Sequence, residues 1–380
     1  MRKPFSLNLV LSAVSVLNTA CGSTSNYSKS DHFDGNRFFN PTQPERQGLG
    51  DIAKMLLTMD RKPWPEKVEN EPKLELNQRL INNEIAVTFV NHATVLLQFN
   101  GYNILTDPVW SERVSPFTSI GPKRAREPGI PFDDLPNIDV VLISHDHYDH
   151  MDLATLGRLI DRFQPLILVP LGDQEKIKTL GAKHVFELDW WRSRKVSDSL
   201  EITFTPTQHF SGRGLFDSNK SLWGSYVLNV DGKKIHFGGD TAYSSHFQQI
   251  ANRFGPMDLS LIPIGAYEPR WFMKWVHMNP EESVQAHLDL RSKKSIAIHC
   301  GTFQLSDEAI DQPHIDLDRA LKKRQLSDSE FVVLKEGQTR TFQLDDSRAS
   351  RLRLPTLTNE WHWPSITHNV VEDVERKSVL

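Results

Sequence analysis

The chain has 380 residues, 38% hydrophobic and 24% charged, with a formal net charge of −4. That profile suits a globular protein with a sizeable core, leaves room for two domains and excludes a fibrous or low-complexity chain. The slightly acidic balance offers no global basic field for nucleic acid, so no nucleic-acid partner is expected.

Arg2 and Lys3 precede an apolar, small-residue run from Phe5 to Ala20, and Cys21 follows at once. This is the pattern of a secretory signal over residues 1–20. Asn18-Thr19-Ala20-Cys21 resembles the bacterial lipoprotein cleavage box, in which the cysteine becomes the lipidated first residue, although Asn18 stands where Leu is usual. The plainer alternative is an ordinary signal peptide with an incidental cysteine. The polar stretch Gly22-Ser23-Thr24-Ser25-Asn26 favours the lipoprotein, because an anchored protein needs a tether. The expectation is an exported protein held to a bacterial envelope membrane through Cys21, facing the periplasm, with Gly22 leaning toward the outer membrane. Cys300 is the one other cysteine, so acylation of Cys21 leaves no intramolecular disulfide.

Residues 21–45 are polar and rich in Ser, Asn, Gly and Pro, and read as a flexible tether. Residues 46–83 read as a wrap, with a short helical pattern (Ile52, Met55, Leu56, Leu57, Met59) before a Pro-rich stretch. From residue 84 strand-like runs alternate with turns: 86–90, 94–99, a turn at Asn100-Gly101, 102–106, 139–144, 166–169, 200–204, 225–230, 234–237, 259–262 and 295–298. Helical patterns fall at 152–163, 173–180, 243–254, 280–290 and 315–323. Hairpins first, then helices interleaved with strands, predict an α/β domain over 84–345 with two mixed sheets covered outside by helices. Residues 346–380 lack periodicity and read as a peripheral tail. No apolar window of spanning length occurs in the body, and nothing in the sequence sets an oligomeric state.

The hexapeptide His145-Asp146-His147-Tyr148-Asp149-His150 ends the apolar run 139–144. Imidazole and carboxylate are the donors that suit catalytic zinc and similar metals. Three further segments end an apolar strand in such a residue: His209, Asp240 after a Gly-Gly turn, and His299. Strands ending at one rim deliver these residues to one site. The preferred assignment is His145, His147 and His209 on one metal, Asp149, His150 and His299 on the other, and Asp240 bridging. Such a pair, roughly 3.5–4 Å apart, lowers the pKa of bound water and clamps a phosphoryl or tetrahedral transition state. A lone histidine after a strand is more often a hydrogen-bonded loop residue; the hexapeptide, short of closing ligands for two half-sites, shifts the balance for His209 and His299. His236 points to the opposite sheet face and reads as structural. Asp107 and His92 read as partners that orient ligands.

The hexapeptide, His209, Gly239-Asp240 and His299, in that order, resemble the signature of the metallo-β-lactamase superfamily. The resemblance covers about residues 84 to 335 and implies a four-layer αβ/βα sandwich with two Zn2+ ions at the rim between the sheets, although iron or manganese could replace zinc. A closer resemblance, to N-acyl-phosphatidylethanolamine-hydrolysing phospholipase D, rests on longer stretches. These include Asn91-His92-Ala93-Thr94-Val95, Leu105-Thr106-Asp107-Pro108, Gly121-Pro122-Lys123-Arg124, Glu187-Leu188-Asp189-Trp190-Trp191 and the run from Ile262 to Met273. It implies the same metal ligands, makes His277 the phosphate-contacting histidine, and implies a membrane phospholipid substrate. Cys300 departs from the family, which usually has Trp there.

A phosphodiester is anionic and stable, so its hydrolysis needs an activated water and charge neutralisation. The expected mechanism is attack of a metal-bridging hydroxide on phosphorus, with Asp149, Asp240 and His277 as catalytic residues. Tyr148, His277, Arg270 and Lys123 are expected to contact substrate, although a purely structural Tyr148 is nearly as natural. Arg270-Trp271-Phe272-Met273-Lys274-Trp275 suits a membrane-facing lip or, equally, a buried aromatic cluster with solvated charges. The alternative within the fold is hydrolysis of a small phosphorylated or lactone metabolite.

Overall fold

A computed structural model describes residues 27–42, 48–71, 79–80 and 84–343. The signal, Cys21 and the tail 346–380 lie outside the described residues. Alternating aliphatic runs form two seven-stranded mixed sheets. In spatial order the first contains Thr339–Gln343 (β14), Glu84–Asn91 (β1), Thr94–Phe99 (β2), Tyr102–Thr106 (β3), Val140–Leu142 (β4), Leu166–Pro170 (β5) and Val185–Leu188 (β6). The second contains Phe331–Val332 (β13), Ser295–Ile298 (β12), Leu259–Pro263 (β11), Lys233–Phe237 (β10), Ser225–Val230 (β9), Leu200–Thr205 (β8) and Ser193–Lys195 (β7). Each sheet joins an antiparallel half to a parallel half: β3 to β6 run parallel in the first, and β10 to β13 in the second.

Period-two alternation decides which way each side chain faces. Val140 and Leu142 join Phe204, Tyr226, Phe237 and Leu261 in the core between the sheets, whereas Val141 and Ile143 turn outward. There they meet the helix Leu153–Phe163 (α2), whose Leu156, Leu159 and Ile160 recur at helical spacing. Asp152 caps α2 by accepting from the Ala154 and Thr155 amides. The second sheet is covered by the helices His246–Phe254, Pro280–Asp289 and Gln312–Arg324 through a separate apolar cluster. The layers are therefore helix, sheet, sheet, helix, the four-layer sandwich expected from the sequence. At the Asn100-Gly101 turn both residues have positive φ, 45° and 79°, which matches a tight hairpin. His236, between inward-facing Ile235 and Phe237, faces outward against Phe247. Four strands escape sequence reading: β6, the polar β7, the two-residue β13 and the edge strand β14.

The expected tether is the main correction. Residues 27–42 are docked on the sandwich. Phe33 and Phe38 are buried in the inter-sheet core with their rings 4.6 Å apart, and His32 stacks on Trp190 while bonding Asp189 at 2.8 Å. Polar composition had pointed to a solvated linker, but two large apolar anchors outweigh it. The wrap lies on the body where it is described. Its helix Leu49–Thr58 (α1) places Lys54 4.4 Å from the Trp271 ring, and Trp64 donates to the Glu308 carbonyl. Among the described residues no helix is long and apolar enough to cross a membrane.

Docking of residues 27–42 has a measurable consequence. Phe38→Ala should lower unfolding stability by about 3–5 kcal/mol, whereas Phe117→Ala, at a half-exposed position, should stay within about 0.5 kcal/mol. Chemical denaturation checks this; a neutral Phe38→Ala would restore the tether reading.

Candidate metal centre

The ligand-type residues follow strand ends that meet at one rim of the sandwich. His145 comes three residues after β4, Asp240 three after β10, His209 four after β8, and His299 directly after β12. All seven residues nominated from sequence are brought together. The Asp240 Oδ2 atom lies 3.1 Å from His299 Nε2, 3.2 Å from His150 Nε2, 3.7 Å from His209 Nε2 and 3.9 Å from His145 Nε2. His277 Nδ1 is 4.0 Å from the same oxygen. On one side, His147 Nδ1 is 2.8 Å from His145 Nε2 and 3.3 Å from His209 Nε2. On the other, Asp149 Oδ2 is 3.4 Å from His150 Nε2 and 3.5 Å from His299 Nε2. A group of three, His145, His147 and His209, and a group of four, His92, Asp149, His150 and His299, thus flank one central carboxylate, each with its ligand atoms mutually within 4.8 Å.

The residues fit metal ions. His150 Nε2, His299 Nε2 and Asp240 Oδ1 are buried with no hydrogen-bond partner among the described residues, and buried polar atoms are otherwise nearly always paired. Charge gives the same answer. Burial alone would raise the Asp240 and Asp149 carboxyls, but the surrounding imidazoles, His150 foremost, hold both well below the usual carboxylate range. Burial would lower His150 and His299, yet the two carboxylates hold both up, His299 to about 9. Burial does prevail at His145 and His209, which are pushed well down. The cluster therefore gathers protons to balance its carboxylates, and divalent cations displace such protons when they bind.

The far sides of the ligands are held. His150 Nδ1 donates to Asp107 Oδ2 at 2.6 Å. Asp107 also accepts from the Ser144 amide and hydroxyl, and Ser144 Oγ is 2.9 Å from His145 Nδ1. One buried carboxylate therefore orients a ligand in each group, directly in one and through Ser144 in the other. His209 Nδ1 donates to the Val276 carbonyl at 2.9 Å, which leaves Nε2 free to face inward. His92 is different: its Nε2 donates at 2.9 Å to Asp149 Oδ2, the oxygen that also faces His150 and His299. Positive φ angles gather here, at His92 (48°), Asp107 (32°) and His299 (60°), as strained backbone does at functional sites. Gly239 (φ 56°) lets the Asp240 loop approach, since a Cβ there would lie 2.6 Å from that of Ser144.

The expected substrate contacts are placed less uniformly. His277 faces the cluster, and burial pushes its imidazole down to about 4. Tyr148 is half-buried, donates to the Arg213 carbonyl at 2.9 Å and stacks under the Arg213 guanidinium. Arg270 does not present an unengaged guanidinium. It pairs with both Glu282 oxygens at 2.8 and 3.0 Å and donates to the His277 carbonyl at 3.0 Å. Lys123 pairs with Glu112 at 3.0 Å, on the wall of a cavity of about 470 Å³ whose lining contains none of the seven clustered residues. Trp271 is partly exposed. Cys300 is partly buried with Sγ 3.4 Å from His314 Nε2, and desolvation of the thiol pushes it far up. Sequence reasoning missed Ser144, the Val276 carbonyl and Glu282. Only Ser144 carried a signal, its place directly before the hexapeptide.

Residues 102–300 match the family model described as beta-lactamase superfamily domain. The chain is 42% identical over 236 residues to an uncharacterised protein of Mycobacterium tuberculosis, which covers 61% of this chain and 62% of that protein. It thus spans less than two thirds of that relative. It is 37% identical over 317 residues to N-acyl-phosphatidylethanolamine-hydrolyzing phospholipase D 1 of Caenorhabditis elegans, covering 77% of this chain and 88% of the relative. Among solved structures, the isothiocyanate hydrolase from Delia radicum gut bacteria superposes with a TM-score of 0.55 at 20% identity, over 68% of this chain and 99% of that one.

The double duty of Asp107 is open to test. Asp107→Asn should weaken metal retention about 10- to 100-fold, read by competition with a chromophoric chelator, while the circular dichroism spectrum stays that of the wild type. Unchanged retention would remove Asp107 from the support of the site.

Proposed function

The chain belongs to the metallo-β-lactamase superfamily, and from that premise we propose that it is a metal-dependent phosphodiesterase of the phospholipase D type. The substrate in this reading is N-acyl-phosphatidylethanolamine or a related membrane phospholipid, cleaved to phosphatidic acid and an N-acylethanolamine. The observation that carries it is the likeness to the worm phospholipase D, which runs across most of both chains.

His145, His147 and His209 would hold one ion, Asp149, His150 and His299 the other, and Asp240 both. Imidazole and carboxylate donors suit Zn2+ first, with iron or manganese compatible. Ions bound there would acidify a water and neutralise charge on the phosphoryl oxygens. The chain's own residues do the rest. Asp107, Ser144 and the Val276 carbonyl hold the ligands in orientation. His277 is kept neutral by burial, and its Nδ1 has no hydrogen-bond partner among the described residues. A neutral imidazole with a nitrogen facing the cluster can hold a phosphate oxygen through its N–H, or accept the proton released by the attacking water and then give it, as imidazolium, to the ethanolamine oxygen when its bond to phosphorus breaks. Arg270, tied to Glu282, holds the His277 backbone carbonyl and so acts on substrate through His277.

A membrane substrate suits a protein held at a membrane, and we place this one there through lipidated Cys21, on the periplasmic side of a bacterial envelope. Cys21→Ser should move the protein from the membrane to the soluble fraction; unchanged fractionation would remove the anchor.

The activity is tested by product analysis. The purified chain and its His145→Ala variant are incubated with N-acyl-phosphatidylethanolamine in mixed micelles, and products are read by mass spectrometry. Phosphatidic acid and N-acylethanolamine are expected from the wild type, with at least about a 1000-fold loss in the variant, equivalent to about 4 kcal/mol of transition-state stabilisation. A metal-loaded wild type that yields neither product would overturn the lipid reading and turn attention to small phosphorylated or lactone substrates.

A further inference from the structure

Residues 27–42 look, by composition, like a linker, yet they end against the metal centre. Asn40 is buried, and its amide is used at both ends. Nδ2 donates to the backbone carbonyl of His209 at 2.7 Å, and Oδ1 accepts from Trp223 Nε1 at 3.1 Å. The Trp223 indole can only donate, so it fixes the amide orientation and directs Nδ2 at His209. Neighbouring bonds fasten the same strap to the segment that carries this ligand. Phe38 N donates to the Asn219 carbonyl at 2.9 Å, Thr42 Oγ1 donates to Gln208 Oε1 at 3.3 Å, and Arg37 donates to the Ser218 and Phe216 carbonyls.

His209 lies beyond β8, directly after Gln208, whose isolated bridge to Ala242 is the nearest sheet pairing, and no ladder bond is made by His209 itself among the described residues. It is held instead at two points. The Val276 carbonyl takes its ring Nδ1–H, which sets the rotation of the imidazole. Asn40 takes its main-chain oxygen, which sets where the ring starts from. A ligand group of three tolerates little drift, because a shift of a few tenths of an ångström in one donor is felt by the ion and by the other two.

We propose that Asn40 is a positioning residue for the metal ligand His209, and that the strap of residues 27–42 is thereby a working part of the metal centre. This rests on the metal-holding role of His145, His147 and His209 and is independent of which substrate is cleaved. Two features set Asn40 apart from a merely structural anchor such as Phe38. Its bond ends on the ligand's own residue, and its side chain contributes a donor to that residue where Phe38 contributes only apolar burial.

The test uses the full chain loaded with cobalt(II), whose visible absorption reports ligand geometry. Asn40→Asp keeps an acceptor for Trp223 but sets an oxygen against the His209 carbonyl. Asn40→Ala removes both bonds, and Arg37→Ala removes strap contacts that do not touch His209. The expected result is chelator-driven cobalt loss about 10-fold faster in both Asn40 variants, with an altered cobalt spectrum, and wild-type behaviour in Arg37→Ala. Asn40 variants that fold but match the wild type in release rate and spectrum would overturn the proposal. So would failure of both to fold, which would assign Asn40 to stability alone. A wild-type chain that takes up no cobalt would overturn the metal reading itself, and this proposal with it.

Discussion

A single buried carboxylate sets the terms for this site. Asp240 Oδ2 has four imidazole nitrogens within 3.9 Å and a fifth at 4.0 Å. A second carboxylate, Asp149, stands beside two of the same histidines. Such a gathering of buried ionisable groups is costly in the absence of compensating positive charge. The carboxylates hold the His150 and His299 imidazoles above the usual range, and divalent ions bound there would compensate more completely. The fold has to hold these groups together against their tendency to separate. That explains why the ligands grow from the ends of strands packed in the core, while their outer nitrogens are tied to Asp107, Ser144 and the Val276 carbonyl. It also accounts for the positive φ angles at His92, Asp107 and His299. Backbone strain of this kind persists only where the surroundings over-determine it.

The two sheets contribute unequally to this arrangement. The first carries the hexapeptide, which supplies four residues in one turn, together with Asp107 at the end of β3. The second supplies His209, Asp240 and His299 from three different strands. The close approach at Gly239, where a Cβ would lie 2.6 Å from that of Ser144, brings Asp240 of the second sheet against the Asp107–Ser144 pair of the first. The site thus depends on the packing of one sheet on the other, and changes in the inter-sheet core act on it at a distance through that contact.

How much of this was legible in the sequence follows from range. The hexapeptide, the strand ends and the Gly-Gly turn are local patterns, and from them came the seven ligand-type residues that the fold gathers, the place of Asp107 behind His150, and the layered fold. What escaped is separated by long stretches of chain. The Val276 carbonyl lies 67 residues from His209, and Asn40 lies 169 residues from it. A backbone carbonyl has no sequence signature, and a lone Asn in a Ser/Asn/Gly-rich stretch looks like a solvated residue. The strap was misread for the same reason, because composition averages over Phe33 and Phe38 and only their burial shows that they matter. Arg270 was misread differently. A cation near the site invites pairing with phosphate, but Glu282 lies 12 positions further on, at the capped start of the helix Pro280–Asp289, and pairs with it.

An anionic substrate, as proposed above, would meet few unengaged cations at this site. Two of the cations that sequence nominated for phosphate are neutralised, Arg270 by Glu282 and Lys123 by Glu112. Lys176, near the hexapeptide, is engaged by Asp146 and Asp173. Arg213 is directed at the carbonyls of Asp146 and Met151. Charged side chains close to the centre are thus spent on holding its loops in place. In the phosphodiesterase reading proposed above, attraction for the substrate would then rest on the ions held by the cluster and on His277. The arrangement has a second effect. Cations committed to internal carboxylates and carbonyls would not compete with metal ions for phosphoryl oxygens, so in that reading the phosphate would be drawn to the place where water can also be activated.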